Sequence, residues 1–406
     1  MRTKHILLSL FLTSVAMGAF AQKFKIPYSG TIAVEDYVYE IPKAVLPADF
    51  DVNTYAVKNG DMLFPIERSL DIDGNESFIS IINITLDKRG RVSIPTVNLV
   101  KETAQYPKRT YAEITNKTGG KWVRNPKRRQ LEYLGGEWVK SNYIRVPDEY
   151  TDHSFYIKYE GPGWESDKIG YRFYLDWRNA NDIFAKTKPG LCLDKVGVDG
   201  YDSYHEYHDW GMDVLKVGDA LGVGTFAYWT GSKAFRVEIF DSLISQVTAD
   251  GKLRSQVKTD YYGWDYNNKG KKINATSLIS IDAGSRASHM QLLLSEPVDN
   301  LCTGLLIDKK AEYFEKIDTA STWSYMASYG KQSLNTPQDN LGIAVIFRTK
   351  DLKERTTDKL NHVAVLTPNN QHLEYYFLGA WELEENGIKT KEAFIQYVEQ
   401  LIQTLK

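Results

Sequence analysis

Along most of the chain, bulky apolar and polar positions alternate with period two. In Phe155-Tyr156-Ile157-Lys158-Tyr159-Glu160 the odd positions are bulky and apolar. Residues 171–178 repeat the pattern, with Tyr171, Phe173, Leu175 and Trp177 facing one way and Arg172, Tyr174, Asp176 and Arg178 the other. Successive side chains of a strand point to opposite faces, so each segment predicts a strand with two unlike faces. Further strands are predicted at 78–86, 93–97, 224–229, 235–240, 277–282, 290–294, 342–347 and 362–367. Turn signals separate them, among them Asp73-Gly74, Lys88-Arg89-Gly90, Asp250-Gly251 and Pro368-Asn369-Asn370. One helix is legible, at the C-terminus: Thr390 caps it, and Phe394, Val398, Leu401, Ile402 and Leu405 follow helical spacing. No repeat of 20–50 residues speaks for a propeller or solenoid. Strands without helices between them imply antiparallel pairing, hence a large all-β sandwich with a C-terminal helix.

Composition narrows the class. The 406 residues include 26 Tyr, 16 Phe and 9 Trp, an aromatic content that suits sheets and sugar-facing surfaces. Lys plus Arg is 50 against 52 Asp plus Glu, so a nucleic-acid partner, which calls for a basic chain, is not expected. Arg2, Lys4 and His5 precede an apolar run and Ala19-Phe20-Ala21, the order of a cleaved signal peptide at 1–21. Residues 22–406 are then expected to form one β-sandwich domain exported to the periplasm or the medium, with a net charge of −4. No later stretch is apolar enough to span a membrane. Cys192 and Cys302 sit in no CxxC motif, and sequence alone leaves their pairing open. Residues 101–142 are basic and turn-rich, and mark either an internal break or a long hairpin.

Six segments carry candidate chemistry. Glu160-Gly161-Pro162-Gly163-Trp164-Glu165-Ser166-Asp167 is a Gly/Pro turn crowded with acids and Trp164: a binding loop, or a tight turn whose Trp fills the core. The polar face of 171–178 is either solvated or a cleft, because burying it costs several kcal/mol unless every group is paired. There Arg172 or Arg178 suits a carboxylate clamp. In Tyr204-His205-Glu206-Tyr207-His208-Asp209-Trp210-Gly211-Met212-Asp213, one reading makes His205, His208 and Asp213 a divalent-metal set, a weaker signal than HExxH. Alternatively one His shuttles a proton while a carboxylate orients it. Ser285 to His289 and the Trp323–Lys331 region are polar loop clusters, and Trp264 lies in a Tyr/Trp run suited either to stacking on sugar rings or to core or hairpin packing. No G-x-S-x-G or phosphate-loop spacing occurs, and nothing asks for an organic cofactor.

The run from Tyr159 to Asp167, then Gly170-Tyr171-Arg172-Phe173-Tyr174-Leu175-Asp176-Trp177-Arg178-Asn179, resembles a secreted bacterial family described as a domain of unknown function among polysaccharide-utilisation proteins. The His205–Asp213 segment and Arg286–His289 are similar as well. The resemblance implies a large β-sandwich of the galactose-mutarotase kind. It also implies an oligosaccharide dehydratase of ulvan breakdown, acting on a non-reducing-end uronic acid. Such β-elimination needs a base at C5, an acid for the oxygen leaving C4, and a group that neutralises the uronate. The residue types point to His208 or His289 as base, and Tyr174 or Tyr325 as acid. Arg172, Arg178 or Arg286 would be the clamp, with Trp164, Glu160 and Trp264 contacting sugar. Rival readings are a hydrolase with paired carboxylates from Glu160, Glu165, Asp176 and Asp213, and a non-catalytic glycan binder. The expectation is one sheet-lined groove where imidazole, phenol and guanidinium meet.

Overall fold

The computed structural model describes residues 22–200 and 203–405, so the predicted signal peptide lies outside the described residues. The protein is an all-β sandwich, with one α-helix among the described residues. Its largest layer is a nine-stranded antiparallel sheet. The strands run in the order Tyr143–Arg145, Ser242–Asp250, Arg254–Asp265, Lys272–Asp282, Ala287–Leu294, His372–Trp381, Leu341–Arg348, Trp323–Gly330 and Ala311–Lys316. Period-two alternation gives it two faces. Tyr261, Ile279, Met290, Leu292, Val345 and Phe377 on the inner face join the main core. Opposite them lie two five-stranded sheets, one of which carries Thr110–Glu113, Gly163–Ser166, Ile169–Phe173, Asn181–Lys186 and Gly211–Asp213.

The outer face of the nine-stranded sheet is covered twice. The helix Lys391–Ile402 buries Phe394 and Val398 against Ala327, Tyr329, Ala344 and Ala380. Thr390 caps it, its hydroxyl accepting from the Ala393 N–H at 3.1 Å. A side chain at Gly342 would place Cβ 2.8 Å from the Phe394 ring, which is why this strand position is bare. Beside the helix sits an N-terminal body of residues 22–100, with its own core of Tyr39, Val57, Ile79, Ile81 and Val97, reaching over to Leu253 and Ala283. Arg109 pins the seam, donating to Asp36 at 2.6 and 2.7 Å and to Asp167 at 2.7 Å.

Several expectations shift locally. Residues 155–160 alternate but form no strand: Lys158–Glu160 is a short 3-10 turn, with Tyr159 and Glu160 at φ of 38° and 70°. Buried contacts on every side override the period. The strand that includes Arg172 stops at Phe173, and residues 176–179 form a turn rather than a continued strand. The basic stretch builds two hairpin ladders, Thr115–Thr118 with Glu137–Lys140 and Lys121–Arg124 with Leu131–Leu134. Cys192 and Cys302 are both free thiols.

Candidate functional site

On the five-stranded sheet, Trp164 and Tyr171 oppose each other and point inward, stacked at 5.8 Å. Alternation sends their neighbour Arg172 to the other side of the sheet, opposite Asp182 on the next strand. A loop layer covers that side, and Arg172 is only 1% exposed. Its Nη2 donates to Asp182 Oδ2 at 2.7 Å, to Asp213 Oδ2 at 2.6 Å and to the Tyr174 hydroxyl at 2.6 Å. Nη1 donates to the Tyr204 hydroxyl at 2.9 Å, and Tyr174 donates onward to Asp182 at 2.5 Å. Burial opposes the Arg172 charge, but the surrounding phenols and carboxylates hold it firmly protonated. Burial, reinforced by Asp213, pushes the Asp182 carboxyl up to about 6. Burial also raises both phenols, so Tyr174 and Tyr204 remain donors.

Glu160 extends this network. Its carboxylate lies 2.6 Å from Arg178 Nη2 and 3.7 Å from Arg172 Nη1, and accepts from the His153 N–H at 2.9 Å. Arg178 also binds Asp176 and lies 3.8 Å over the Tyr174 ring. Gly163 must be bare here, since a Cβ would meet the Tyr159 hydroxyl at 2.5 Å. Five non-glycine residues around the network, His153, Phe155, Tyr159, Glu160 and Asn179, adopt left-handed φ between 38° and 70°. Each such residue costs of order 1–3 kcal/mol, and such strain concentrates at functional sites.

Two imidazoles stand where the network meets solvent. His205 Nε2 lies 3.4 Å from Asp213 Oδ2, with 43% of its side chain exposed. Burial lowers its pKa and Asp213 raises it, with a net rise. His153, 50% exposed, meets Asp152 at 3.2 Å and Glu160 at 3.9 Å. Asp152 raises its pKa above the usual value and burial offsets only part of that rise. Trp177, 41% exposed, lies beneath Arg236 at 5.4 Å and offers a ring to solvent.

The expected groove is split in two by the sandwich. Arg172, Arg178, Glu160 and Tyr174 come together. They are locked in mutual bonds, so the direct clamp and acid roles expected of them give way to positioning. His208 is not the imidazole on the carboxylate: its Nε2 meets the Ser203 carbonyl at 2.7 Å, and His205 takes the place expected of it. His289 lies on the outer face of the nine-stranded sheet, on Glu374 at 3.1 Å. Arg286 lies nearby, paired with Glu384 at 2.7 Å. Tyr325 is buried close to the helix, 6.5 Å from the Phe314 ring. Trp164 and Trp264 are fully buried in the core and have no face for a sugar. Trp164 donates to the Ser288 hydroxyl at 2.9 Å. Among the described residues, no three His, Cys, Asp or Glu side chains converge as a metal site, and His205 and His208 turn to different partners. Asp182 and His153 were missed, being marked in the sequence by no motif spacing.

Residues 32–406 match the sequence profile of a family described as a domain of unknown function (DUF4861). No curated protein matches. Among solved structures, a protein in glycosyl hydrolase family 38 from Enterococcus faecalis superposes with a TM-score of 0.41 at 8% identity, over 96% of this chain and 47% of its own. An alpha-mannosidase from Enterococcus faecalis gives 0.40 at 8% identity, over 95% and 45%. The chain thus spans about half the length of these structures, and a likeness of this degree carries no argument about activity.

Proposed function

The chain belongs to the DUF4861 family, and from its charge network we propose that it is an exported enzyme removing water by β-elimination from a uronic acid at the non-reducing end of an acidic oligosaccharide. The observation that carries the mechanism is the exposed His205 held by Asp213, itself buried and bound to Arg172. A carboxylate behind an imidazole fixes its orientation and raises its basicity. The substrate class follows the resemblance of residues 159–179.

In this reading His205 takes the C5 proton. The electron pair forms the C4=C5 double bond as the C4–O bond breaks. The imidazolium then returns the proton to the departing hydroxide, so water leaves and the base is restored. His153, its pKa raised by Asp152, supplies positive charge for the substrate's anionic group, and Trp177 supplies the ring for a sugar face. Arg172, Tyr174 and Tyr204 are positioning residues. Arg172 holds Asp213, and the two phenols hold Arg172, without touching substrate.

Hydrolysis by paired carboxylates is less well served. Glu160, Glu165, Asp176 and Asp213 are at most 3% exposed, and each is bound to Arg or Lys. Incubation with uronate-terminated oligosaccharides, followed by mass and ultraviolet absorbance, separates the readings. A product lighter by one water, with new absorbance, supports elimination. New reducing ends alone mean hydrolysis, and binding without product means a glycan binder.

A further inference from the structure

A long polar trough lies on the far side of the molecule from His205, between the outer face of the nine-stranded sheet and the N-terminal body. Two cavities of about 370 Å³ each share Asp282 and Ser285 in their walls, and a third of about 230 Å³ joins the first through Gln291, Arg348 and Glu374. The central cavity has the size of a small-ligand pocket. On its floor His289 and Tyr376 stack at 4.3 Å and 11°, and His289 opposes Ser280 across the ladder.

The three arginines of this trough are each paired with a carboxylate. Arg254 is paired with Asp282 at 2.6 and 2.8 Å, Arg348 with Glu374 at 2.5 Å, and Arg286 with Glu384 at 2.6 Å. An anionic polymer requires an excess of positive charge, and along this wall, Lys168 and Lys350 included, carboxylates outnumber cations. A peptide would use a bare strand edge or an apolar pocket, whereas the floor here is the middle of a sheet. What the wall offers is an array of alternating donors and acceptors: guanidinium–carboxylate pairs, the His289–Glu374 pair, the Gln291 amide and the hydroxyls of Ser77, Ser280 and Ser285. Sugar hydroxyls, which both donate and accept, satisfy such an array without introducing charge.

We propose that this trough binds an extended stretch of neutral pyranose residues, as a site separate from the His205 mouth and independent of what that mouth does. The test is calorimetric titration of the full chain with neutral hexaoses of gluco, manno, xylo and galacto configuration, and with a uronate hexaose. Ser280→Trp fills the cavity, while Gln291→Ala, at a partly exposed position, removes one amide with little risk to folding. The expected result is that at least one neutral hexaose binds. Its Kd should rise tenfold or more in both variants, at unchanged melting temperature in Gln291→Ala, and stay unchanged in His205→Ala. The proposal is overturned if no neutral hexaose binds, if both trough variants bind as the parent does, or if only the uronate hexaose is lost from them.

Discussion

The carboxylate of Asp213 stands between a cation inside the protein and an imidazole at its surface: 2.6 Å from Arg172 and 3.4 Å from His205. Arg172 is sealed in and His205 is open. Asp213 is therefore the carboxylate that links the buried network to His205.

The two histidines of the segment should behave differently. His205→Ala is expected to lower turnover by about 10²–10⁴-fold, the usual contribution of a general base. His208→Ala, whose ring meets the Ser203 carbonyl and stacks on Trp210 rather than reaching a carboxylate, should stay within a few-fold of the parent. Water loss followed by mass on a uronate oligosaccharide decides this; equal effects at both positions would remove His205 from the role.

The pH profile should carry the same signature. A base works unprotonated, so the rate climbs as pH rises through the His205 pKa, which lies above the ordinary 6.5 because Asp213 outweighs burial. Asp213→Asn withdraws the charge that raises it. The acid limb of kcat/KM should then move to lower pH, and a limb that stays in place would break the link between the two residues.

Arg172 predicts a stability effect with a built-in control. Arg172→Met leaves Asp182 and Asp213 buried without their cation, and should cost about 3–5 kcal/mol in urea unfolding at pH 7. Adding Asp182→Asn removes one of the stranded charges. The double variant should therefore lose less than the sum of the single losses, and simple additivity would show that the pair is not coupled.

Glu374 predicts the pH dependence of the trough. Burial raises its carboxyl, but His289 and Arg348 outweigh burial and hold it at about 2, against 4.5 unperturbed. A depressed carboxyl contributes stability above its unfolded pKa and loses it as pH falls through the folded one. Glu374→Gln should cost about 1–2 kcal/mol at pH 7 after solvent screening. The deficit should shrink between pH 4.5 and pH 2, and a deficit constant over that range would contradict the pairing.

The alternation of apolar and polar side chains, by itself, determined the class of the fold and the capped C-terminal helix, because strand and helix periods are local properties of the backbone. It also marked Arg172, Tyr174 and Arg178 as one polar face. Which residues meet across the fold was decided by tertiary structure alone. Arg172 reaches Asp182 through strand register, and His205 rather than His208 reaches Asp213 through the path of a loop. His289 and Arg172 both lie on β-strands, yet two sheets and the core between them separate their faces. The physical reason is that alternation says which side of a strand is polar, whereas only packing says which other polar side, if any, it will face.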